Sequence, residues 1–170
     1  KERIDPYADC MTGREHWGKR ALQARPVRGG ICIEDFDWKG DLPLRIPYAD
    51  LILYQLHVRG YTRHSSSKVC DKGTFRGLTE KLPYMKDLGI NAVLLLPVYE
   101  FCETEKELMP VKRPKKSQDL PEEDTQEKEE QDRINYWGYG TKNTFYLAPK
   151  AAYCSHKTSP STEFRQMVQQ

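Results

Sequence analysis

The fold is decided by residues 50–101, DLILYQLHVRGYTRHSSSKVCDKGTFRGLTEKLPYMKDLGINAVLLLPVYEF. Leu51–Val58 is a short apolar run rich in branched and aromatic residues, which predicts a strand. Ala92–Val98 is almost continuously apolar, as expected of a strand buried on both faces of a parallel sheet. Between these runs, apolar side chains recur every three or four residues. They predict one amphipathic helical stripe, formed by Phe75, Leu78, Leu82, Met85 and Leu88.

Local signals define the ends of this helical segment. Thr74 is a suitable N-cap, and Gly89 stands where a left-handed C-terminal residue is favoured. Pro83 falls inside the stripe, so we expect the helix to kink or to restart with Pro83 in a first turn. Two strands joined by such a crossover lie parallel with a right-handed connection. The segment is therefore predicted to be one βαβ unit.

Another helix is predicted near the end of the chain, over residues 159–170, SPSTEFRQMVQQ. Ser161 or Thr162 can cap it, Pro160 suits its start, and Glu163 favours the positive end of the helix dipole. One face of this helix is apolar, formed by Phe164, Met167 and Val168.

Two further stretches, together with the βαβ segment, carry a family resemblance. They are NYWGYGTKNTFYLAPKAAYCS at 135–155, and IDPYAD at 4–9 with the later DFDWKGDLPLRIPYADLILYQLHVR at 35–59. In order and spacing, these motifs resemble the start of the catalytic barrel of the α-amylase superfamily, glycoside hydrolase family 13. The resemblance is to its debranching branch, which contains bacterial glycogen debranching enzyme, isoamylase and pullulanase.

The resemblance implies an α/β fold that is part of a (β/α)8 TIM barrel. Residues 1–46 would be an extended linker and the end of an N-terminal β-sandwich region. Residues 47–170 would be the first part of the catalytic barrel, with the order strand, helix, strand, long loop, helix. A complete barrel needs about 250 residues, and this chain has 170. We therefore expect the catalytic strands to lie outside it.

Residues 103–133 differ in composition from the rest of the chain. They are charged in blocks, contain several prolines and hold almost no aliphatic or aromatic anchors, which predicts a mobile surface insertion. The basic run Lys112–Lys116 could suggest nucleic acid. However, Glu122–Glu130 neutralises its field, and the net charge of the chain is only +2, so a solvated loop is the favoured interpretation.

The lead-in at 1–46 carries few periodic signals. A short strand is predicted near Gly30–Ile33. An acidic cluster surrounds Phe36 and Trp38 and could suggest calcium. Because the EF-hand spacing is absent, a surface loop whose aromatic rings pack on the barrel wall is favoured. The acidic residues are Glu34, Asp35, Asp37 and Asp41.

The cysteines and histidines of the chain are scattered singly. Five cysteines without a CxxC pair indicate thiols in a reducing compartment, so we expect a cytoplasmic location, no disulfide framework and no metal site. The sequence shows no signal peptide and no apolar run long enough to span a membrane. A membrane partner and a cofactor are not expected.

The aromatic segment Tyr136–Tyr153 contains the candidate ligand-binding residues. Aromatic rings offer flat apolar area with little rotamer entropy to lose, which suits sugar faces. Alternatively, the rings could bind no ligand and simply fill the end of the barrel and hold the loop. The resemblance implies that a tyrosine here stacks on the sugar at the cleavage point. That role falls on Tyr136, with Trp137 and Tyr139 as the supporting wall, and Tyr139 is the rival for it.

No catalytic residue is assigned. Retaining glycosidases need two carboxyl groups about 5–5.5 Å apart, and the resemblance places that pair on later strands. Asp50 and Glu100 lie at opposite ends of their strands and are not expected to pair. His57 is interpreted as a hydrogen-bonded packing residue, because no carboxylate or nucleophile partner is identifiable.

The resemblance thus implies part of a retaining hydrolase of α-1,6 branch linkages, whose partners would be glycogen, amylopectin and limit dextrin. The chain alone is expected to be inactive. The rest of the barrel, or self-association, would cover its apolar surface. A non-catalytic α-glucan-binding module built on Tyr136–Tyr153 is the main alternative. A remodelled small α/β protein and a branching or trehalose-forming relative also remain open.

Overall fold

A computed structural model describes residues 5, 7–18, 28–33, 35–104, 134–139 and 145–170. Among these residues, no helix is long and apolar enough to cross a membrane. The described strands and helices are β1 (Cys10–Thr12), β2 (Arg28–Gly30), β3 (Leu53–Leu56), α1 (Val58–Arg63), α2 (Phe75–Thr79), α3 (Leu82–Asp87), β4 (Ala92–Leu95), β5 (Tyr99–Glu100), β6 (Phe145–Pro149) and α4 (Pro160–Gln169).

The predicted βαβ unit is confirmed. Strands β3 and β4 are parallel, with Leu53 opposite Ala92 and Leu56 opposite Leu95. Asn91 extends this pairing before the strands begin. Its side-chain amide donates to the carbonyl oxygen of Asp50 at 2.7 Å, and its Oδ1 accepts from the backbone N–H of Ile52 at 2.7 Å.

Both strands are shorter than the sequence predicted. Strand β3 ends at Leu56 instead of Val58, because His57 turns the chain into helix α1 and accepts a hydrogen bond from the N–H of Gly60 at 3.1 Å. A histidine ring is an unusual N-cap, so the apolar pattern carried no sign of it. Strand β4 likewise ends at Leu95 rather than Val98.

The crossover divides where the proline signal predicted. The Oγ1 atom of Thr74 accepts from the N–H of Gly77 at 3.1 Å and caps α2. Helix α3 restarts with Pro83 in its first turn. Gly89 follows with a φ of +83°, a conformation that side chains with a Cβ rarely adopt.

The core lies between the β3–β4 pair and the helices. Phe75, Leu78 and Met85 of the predicted stripe are buried in it and Leu82 packs at its edge, whereas Leu88 follows the last helical residue and is exposed. The rest of the buried cluster is formed by Leu56, Val58, Tyr153 and Met167. The prediction that the second strand is buried on both faces is wrong for the described chain. Apolar side chains on both faces of the strand pair stay exposed there, those of Leu53, Tyr54, Val93 and Leu94.

Helix α4 packs beside α2 through a buried carboxylate. Ser159 is the observed N-cap, so the prediction of Ser161 or Thr162 is wrong; Thr162 instead donates its N–H to the Ser159 hydroxyl. Glu163 is buried and accepts from the backbone N–H of Arg76 at 3.0 Å. It also accepts from the N–H and the hydroxyl of Ser155, so one carboxylate fixes α4 to two other segments.

Cys154 is buried and contacts the same carboxylate. Its Sγ lies 3.4 Å from Glu163 Oε2. Burial, together with the negative charge of Glu163, raises the pKa of the Cys154 thiol to about 11.

The lead-in segment contributes a small antiparallel pair. Cys10 lies opposite Gly30, so the short strand predicted near Gly30–Ile33 lies instead at Arg28–Gly30. Phe36 and Trp38 pack edge to face on each other, with ring centroids 4.8 Å apart. Most of the insertion predicted at 103–133 lies outside the described residues. The chain around it is joined by a bridge between Thr104 and Ile134.

Candidate functional site

The candidate ligand-binding residues gather beyond the C-terminal end of β3, where His57 follows Leu56. The ring of Tyr136 stacks on the His57 imidazole, with centroids 4.2 Å apart and an interplanar angle of 15°. The carbonyl oxygen of Tyr136 lies 2.8 Å from His57 Nε2. The hydroxyl of Tyr136 lies directly against Gly60, where a Cβ atom would collide with it. Glycine in α1 therefore makes the stack possible.

The hydrogen bonds of His57 indicate one tautomer. Because Nδ1 accepts from the N–H of Gly60, the proton of a neutral ring resides on Nε2, which donates to the carbonyl of Tyr136 and faces the hydroxyl of Tyr153 at 3.1 Å. Burial lowers the pKa of His57, and the positive charges of Arg59 and Lys150 lower it further. A neutral, positioned imidazole fits the predicted packing role.

Trp17 covers this cluster from the lead-in segment. Its indole stacks on Tyr153 at 5.7 Å between centroids and meets Tyr136 edge to face at 6.0 Å. The guanidinium carbon of Arg59 lies 5.1 Å from the centroid of the Trp17 ring, within cation–π range. No pattern in the sequence indicates this role, because Trp17 stands alone in a polar segment without periodicity.

A buried ion-pair cluster lies beneath the aromatic rings. The Nζ atom of Lys150 donates to Glu100 Oε1 and to the carbonyl of Phe101, both at 2.9 Å. It also lies 3.3 Å from Glu103 Oε2. The ammonium group thus uses its three donors in three directions. Glu103 Oε1 is buried without a hydrogen-bond partner among the described residues.

This cluster is structural rather than catalytic in its geometry. The two oxygens of Glu100 are engaged by Lys150 and by the N–H of Ala151. Complete burial raises the pKa of Glu100, although Lys150 acts in the opposite direction. A carboxylate enclosed in this way cannot reach a sugar. Asp50 lies before β3, at the other end of the strand pair, so the expectation that Asp50 and Glu100 do not pair agrees with the geometry.

The three predicted sugar-binding residues differ in the ring surface they offer. Tyr136 is half-buried, and one face of its ring is covered by His57. Trp137 and Tyr139 are 57% and 58% exposed. The turn that carries them is held by Asn135, whose N–H donates to the carbonyl of Glu103 at 2.7 Å and whose Oδ1 accepts from Gly138 N–H.

Gly138 is required at the centre of this turn. Its φ is +77°, and a Cβ there would lie 2.6 Å from a ring carbon of Phe101. The backbone therefore packs directly on the ring of Phe101, which also receives the Lys150 ammonium at 4.1 Å from its centroid. The ion-pair cluster and the exposed aromatic turn are thus one continuous packed unit.

A second group of potential ligand side chains is brought together by the β1–β2 pair. One ligand atom each from Asp9, Cys10 and Cys32 lies within 4.8 Å of the others. No metal site was expected here, because the two cysteines are 22 positions apart and show no ligand spacing. Their proximity depends on strand register, which no spacing rule reports.

Comparison with known proteins identifies the family. Residues 53–147, more than half of the chain, match the family described as "Alpha amylase, catalytic domain". The chain belongs to this family. The family assignment confirms the resemblance inferred from the motifs at 50–101 and 135–155.

Within the family, the similar proteins belong to the debranching branch. The chain is 37% identical to "Isoamylase 1, chloroplastic" of Oryza sativa subsp. japonica over 163 residues, covering 89% of this chain and 17% of the relative. It is 28% identical to the "Glycogen debranching enzyme" of Enterobacter sp. (strain 638), covering 93% of this chain and 21% of that protein. The chain therefore spans about a fifth of the length of these relatives.

A solved structure agrees at the level of the fold. Pullulanase type I from Bacillus subtilis, solved in complex with maltose, superposes with a TM-score of 0.63 at 22% identity. The superposition covers 99% of this chain and 21% of the pullulanase. The chain thus takes up part of a pullulanase-like fold.

Proposed function

We propose that this chain is the first part of the catalytic barrel of a hydrolase that cleaves α-1,6 branch linkages in glycogen- or starch-type α-glucans. The observation that carries the proposal is the family match over residues 53–147, which spans the parallel β3–β4 unit and the aromatic turn beside it. Relatives named isoamylase and glycogen debranching enzyme support the debranching activity.

In this proposal, the chain supplies a sugar-binding surface and not the catalytic carboxylates. The reaction would use a nucleophile and an acid/base carboxyl group about 5–5.5 Å apart from outside the described residues. Residues 1–46 would be the linker that precedes the barrel. The exposed apolar side chains of Leu53, Tyr54, Val93 and Leu94 would be covered by the remaining strands and helices of the barrel, because closure removes the open sheet edges and fills the interior with side chains.

The sugar platform is assigned to Tyr139 and Trp137, with Tyr136 in support. A ring can stack on a sugar only through an uncovered face, and Tyr136 already gives one face to His57. Tyr136 then positions the turn, while the rings of Trp137 and Tyr139 project into solvent. This refines the sequence hypothesis, which gave the central role to Tyr136.

The first experiment measures reducing ends released from glycogen by this chain alone and by a form extended through the missing strands. Activity only in the extended form is expected. Activity of the 170-residue chain by itself would overturn the assignment of catalysis to other strands. Glucan binding without cleavage by either form would favour the alternative, a non-catalytic α-glucan-binding module on the Tyr136–Tyr153 segment.

The platform is tested in the active extended form with Tyr139→Ala and Trp137→Ala. We expect each to weaken glucan binding about tenfold, which corresponds to about 1.4 kcal/mol. Tyr84→Ala is the matched control, since Tyr84 is 55% exposed but lies on α3 away from the turn. Equal losses in all three variants would contradict the assignment.

A further inference from the structure

We propose that Asp9, Cys10 and Cys32 form a binding site for Zn²⁺ or a similar thiophilic divalent cation. The three side chains offer two sulfur atoms and one carboxylate oxygen, all within 4.8 Å of one another. Two thiolates and a carboxylate are a donor set typical of zinc, which binds sulfur at about 2.3 Å and carboxylate oxygen at about 2.0–2.2 Å. Tetrahedral ligation needs the two sulfurs about 3.8 Å apart, so the existing spacing is close to what binding requires.

The strand register builds this arrangement. Cys10 lies opposite Gly30 in the β1–β2 pair, and Cys32 follows two residues later. Asp9 ties the two segments together: its N–H donates to the carbonyl of Gly30 at 3.3 Å, and its Oδ1 accepts from the N–H of Cys32 at 2.7 Å. The backbone thus holds all three ligand-bearing residues in place without a metal, which lowers the ordering cost of binding.

Gly30 provides the room for the Cys10 sulfur. A Cβ at Gly30 would lie 2.9 Å from Cys10 Sγ, closer than such atoms approach in proteins. The thiol therefore occupies space that any larger residue would take.

The cluster is reachable from solvent. All three residues are only half-buried, and Asp9 and Cys32 lie on the wall of a groove of about 370 Å³. Neither cysteine is in a disulfide. A cation held by three protein ligands at this position would keep a fourth position for water or another donor, which comes from the groove side.

Binding has a defined proton balance. The two thiols bind as thiolates, so the cation replaces one proton on each sulfur and binding releases two protons. The affinity should therefore rise steeply with pH. The site would link the β1–β2 pair to the segment beginning at Ile31, and so it would stabilise the lead-in rather than take part in glycosidic chemistry.

The test uses the purified protein after reduction and removal of metal with a chelator. Cobalt(II) is titrated as the probe, because a Co²⁺–thiolate bond gives a charge-transfer absorption and tetrahedral ligation gives intense visible bands. We expect one equivalent of Co²⁺ to produce both, and one equivalent of Zn²⁺ to abolish them. Zinc should also raise the midpoint of thermal unfolding.

Cys32→Ser and Asp9→Asn test the ligands independently of each other. Cys32→Ser should weaken the charge-transfer band, since one of the two Co²⁺–thiolate bonds is removed, and Asp9→Asn should weaken Co²⁺ binding. Gly30→Ala should weaken it too, by displacing the Cys10 sulfur. Cys70→Ser, which removes an exposed cysteine elsewhere, should bind as the unmodified protein does.

Three results would overturn the proposal. One is the absence of a thiolate band at one equivalent of cobalt. Another is an unchanged band in Cys32→Ser, which would show that other cysteines hold the ion. The third is formation of a Cys10–Cys32 disulfide under mild oxidation by glutathione disulfide, without metal binding by the reduced protein. That result would identify a redox pair instead.

Discussion

The ring of Tyr136 lies flat on the imidazole of His57, with 4.2 Å between their centroids and 15° between their planes. His57 also holds the carbonyl of Tyr136 through Nε2, so one side chain fixes both the ring and the backbone of the aromatic turn. The two residues are 79 positions apart, and their contact joins the end of β3 to the turn that carries Trp137 and Tyr139. The stack therefore decides where those exposed rings point.

The contact between Gly60 and the Tyr136 hydroxyl predicts that the effect of Gly60→Ala on stability depends on whether residue 136 carries that hydroxyl. Gly60→Ala should destabilise the protein by about 1–3 kcal/mol through overpacking, because the new Cβ collides with that hydroxyl. In a Tyr136→Phe background the collision with the hydroxyl is removed and a 3.3 Å approach to the ring carbon Cζ remains, so the loss should be smaller and partly offset by up to about 1 kcal/mol of helix propensity. Urea unfolding of the four proteins of this cycle measures both effects. Equal effects of Gly60→Ala in the two backgrounds would contradict the described contact.

Removing the buried ammonium group of Lys150 should strongly destabilise the protein. Lys150→Met leaves Glu100 and Glu103 without their counter-ion, and we expect a loss of about 3–5 kcal/mol in the free energy of unfolding. Lys157→Met is the control, because Lys157 pairs with Asp71 at 2.7 Å but its side chain is 51% exposed. That change should cost less than about 1 kcal/mol. Similar losses in both variants would show that Lys150 is not buried as described.

The stability of the protein should fall in mild acid. Burial holds the pKa of folded His57 below its ordinary value of 6.5, so the unfolded chain takes up a proton that the folded chain does not. The stability that the neutral His57 contributes is fully present above pH 6.5, and it is lost as the pH falls from there toward the pKa of His57 in the folded protein. One such group gives a slope of at most about 1.4 kcal/mol per pH unit.

His57→Gln removes this titration, and urea unfolding between pH 5 and pH 8 should show a flatter profile on the acid side. His64→Gln makes the same change at an exposed ring and should leave the acid loss in place. An unchanged slope in His57→Gln would show that the imidazole is not the group responsible.

A conservative substitution of Glu163 should reduce the stability of the protein, because its carboxylate accepts several hydrogen bonds. Glu163→Gln leaves one oxygen at this junction, so its NH₂ replaces the acceptor either of the Arg76 N–H, at the Oε1 position, or of the short bond from the Ser155 hydroxyl, at the Oε2 position. We expect a loss of about 1–3 kcal/mol from donors left without a partner. Glu80→Gln is the control, because Glu80 is exposed and its hydrogen bond within the described residues, from the N–H of Cys70, is long at 3.3 Å. Thermal unfolding of both variants measures the two losses. A Glu163→Gln protein as stable as the parent would show that the Glu163 carboxylate does not fix α4 to the other two segments.

The parts of the fold that the sequence predicted are those set by local chemistry. The Thr74 cap, the restart at Pro83 and the left-handed Gly89 each depend on neighbours within four residues, and all three are observed. The strand ends were placed too late, because the ring of His57 acts as a cap where the apolar pattern continues. Polarity patterns report burial but not which side chain ends a strand.

The candidate site was predicted only in part, since most of its contacts join distant segments. The aromatic turn at 136–139 was recognised from its composition and from the resemblance. The pairing of Lys150 with Glu100 spans 50 positions, and Trp17 reaches the cluster from a segment without periodicity. Such contacts are consequences of chain topology, so a sequence contains no local signal for them.

Because the thiol of Cys154 is buried, its rate of chemical modification can report the local unfolding of the protein. With a pKa of about 11 and a position against Glu163, almost none of this thiol is the reactive thiolate at neutral pH, and reagents cannot reach it. Cys70 is exposed and supplies the reference for immediate labelling. The delay between modification of Cys70 and of Cys154 would time the opening of the α2–α4 junction, without a dye and without a denaturant.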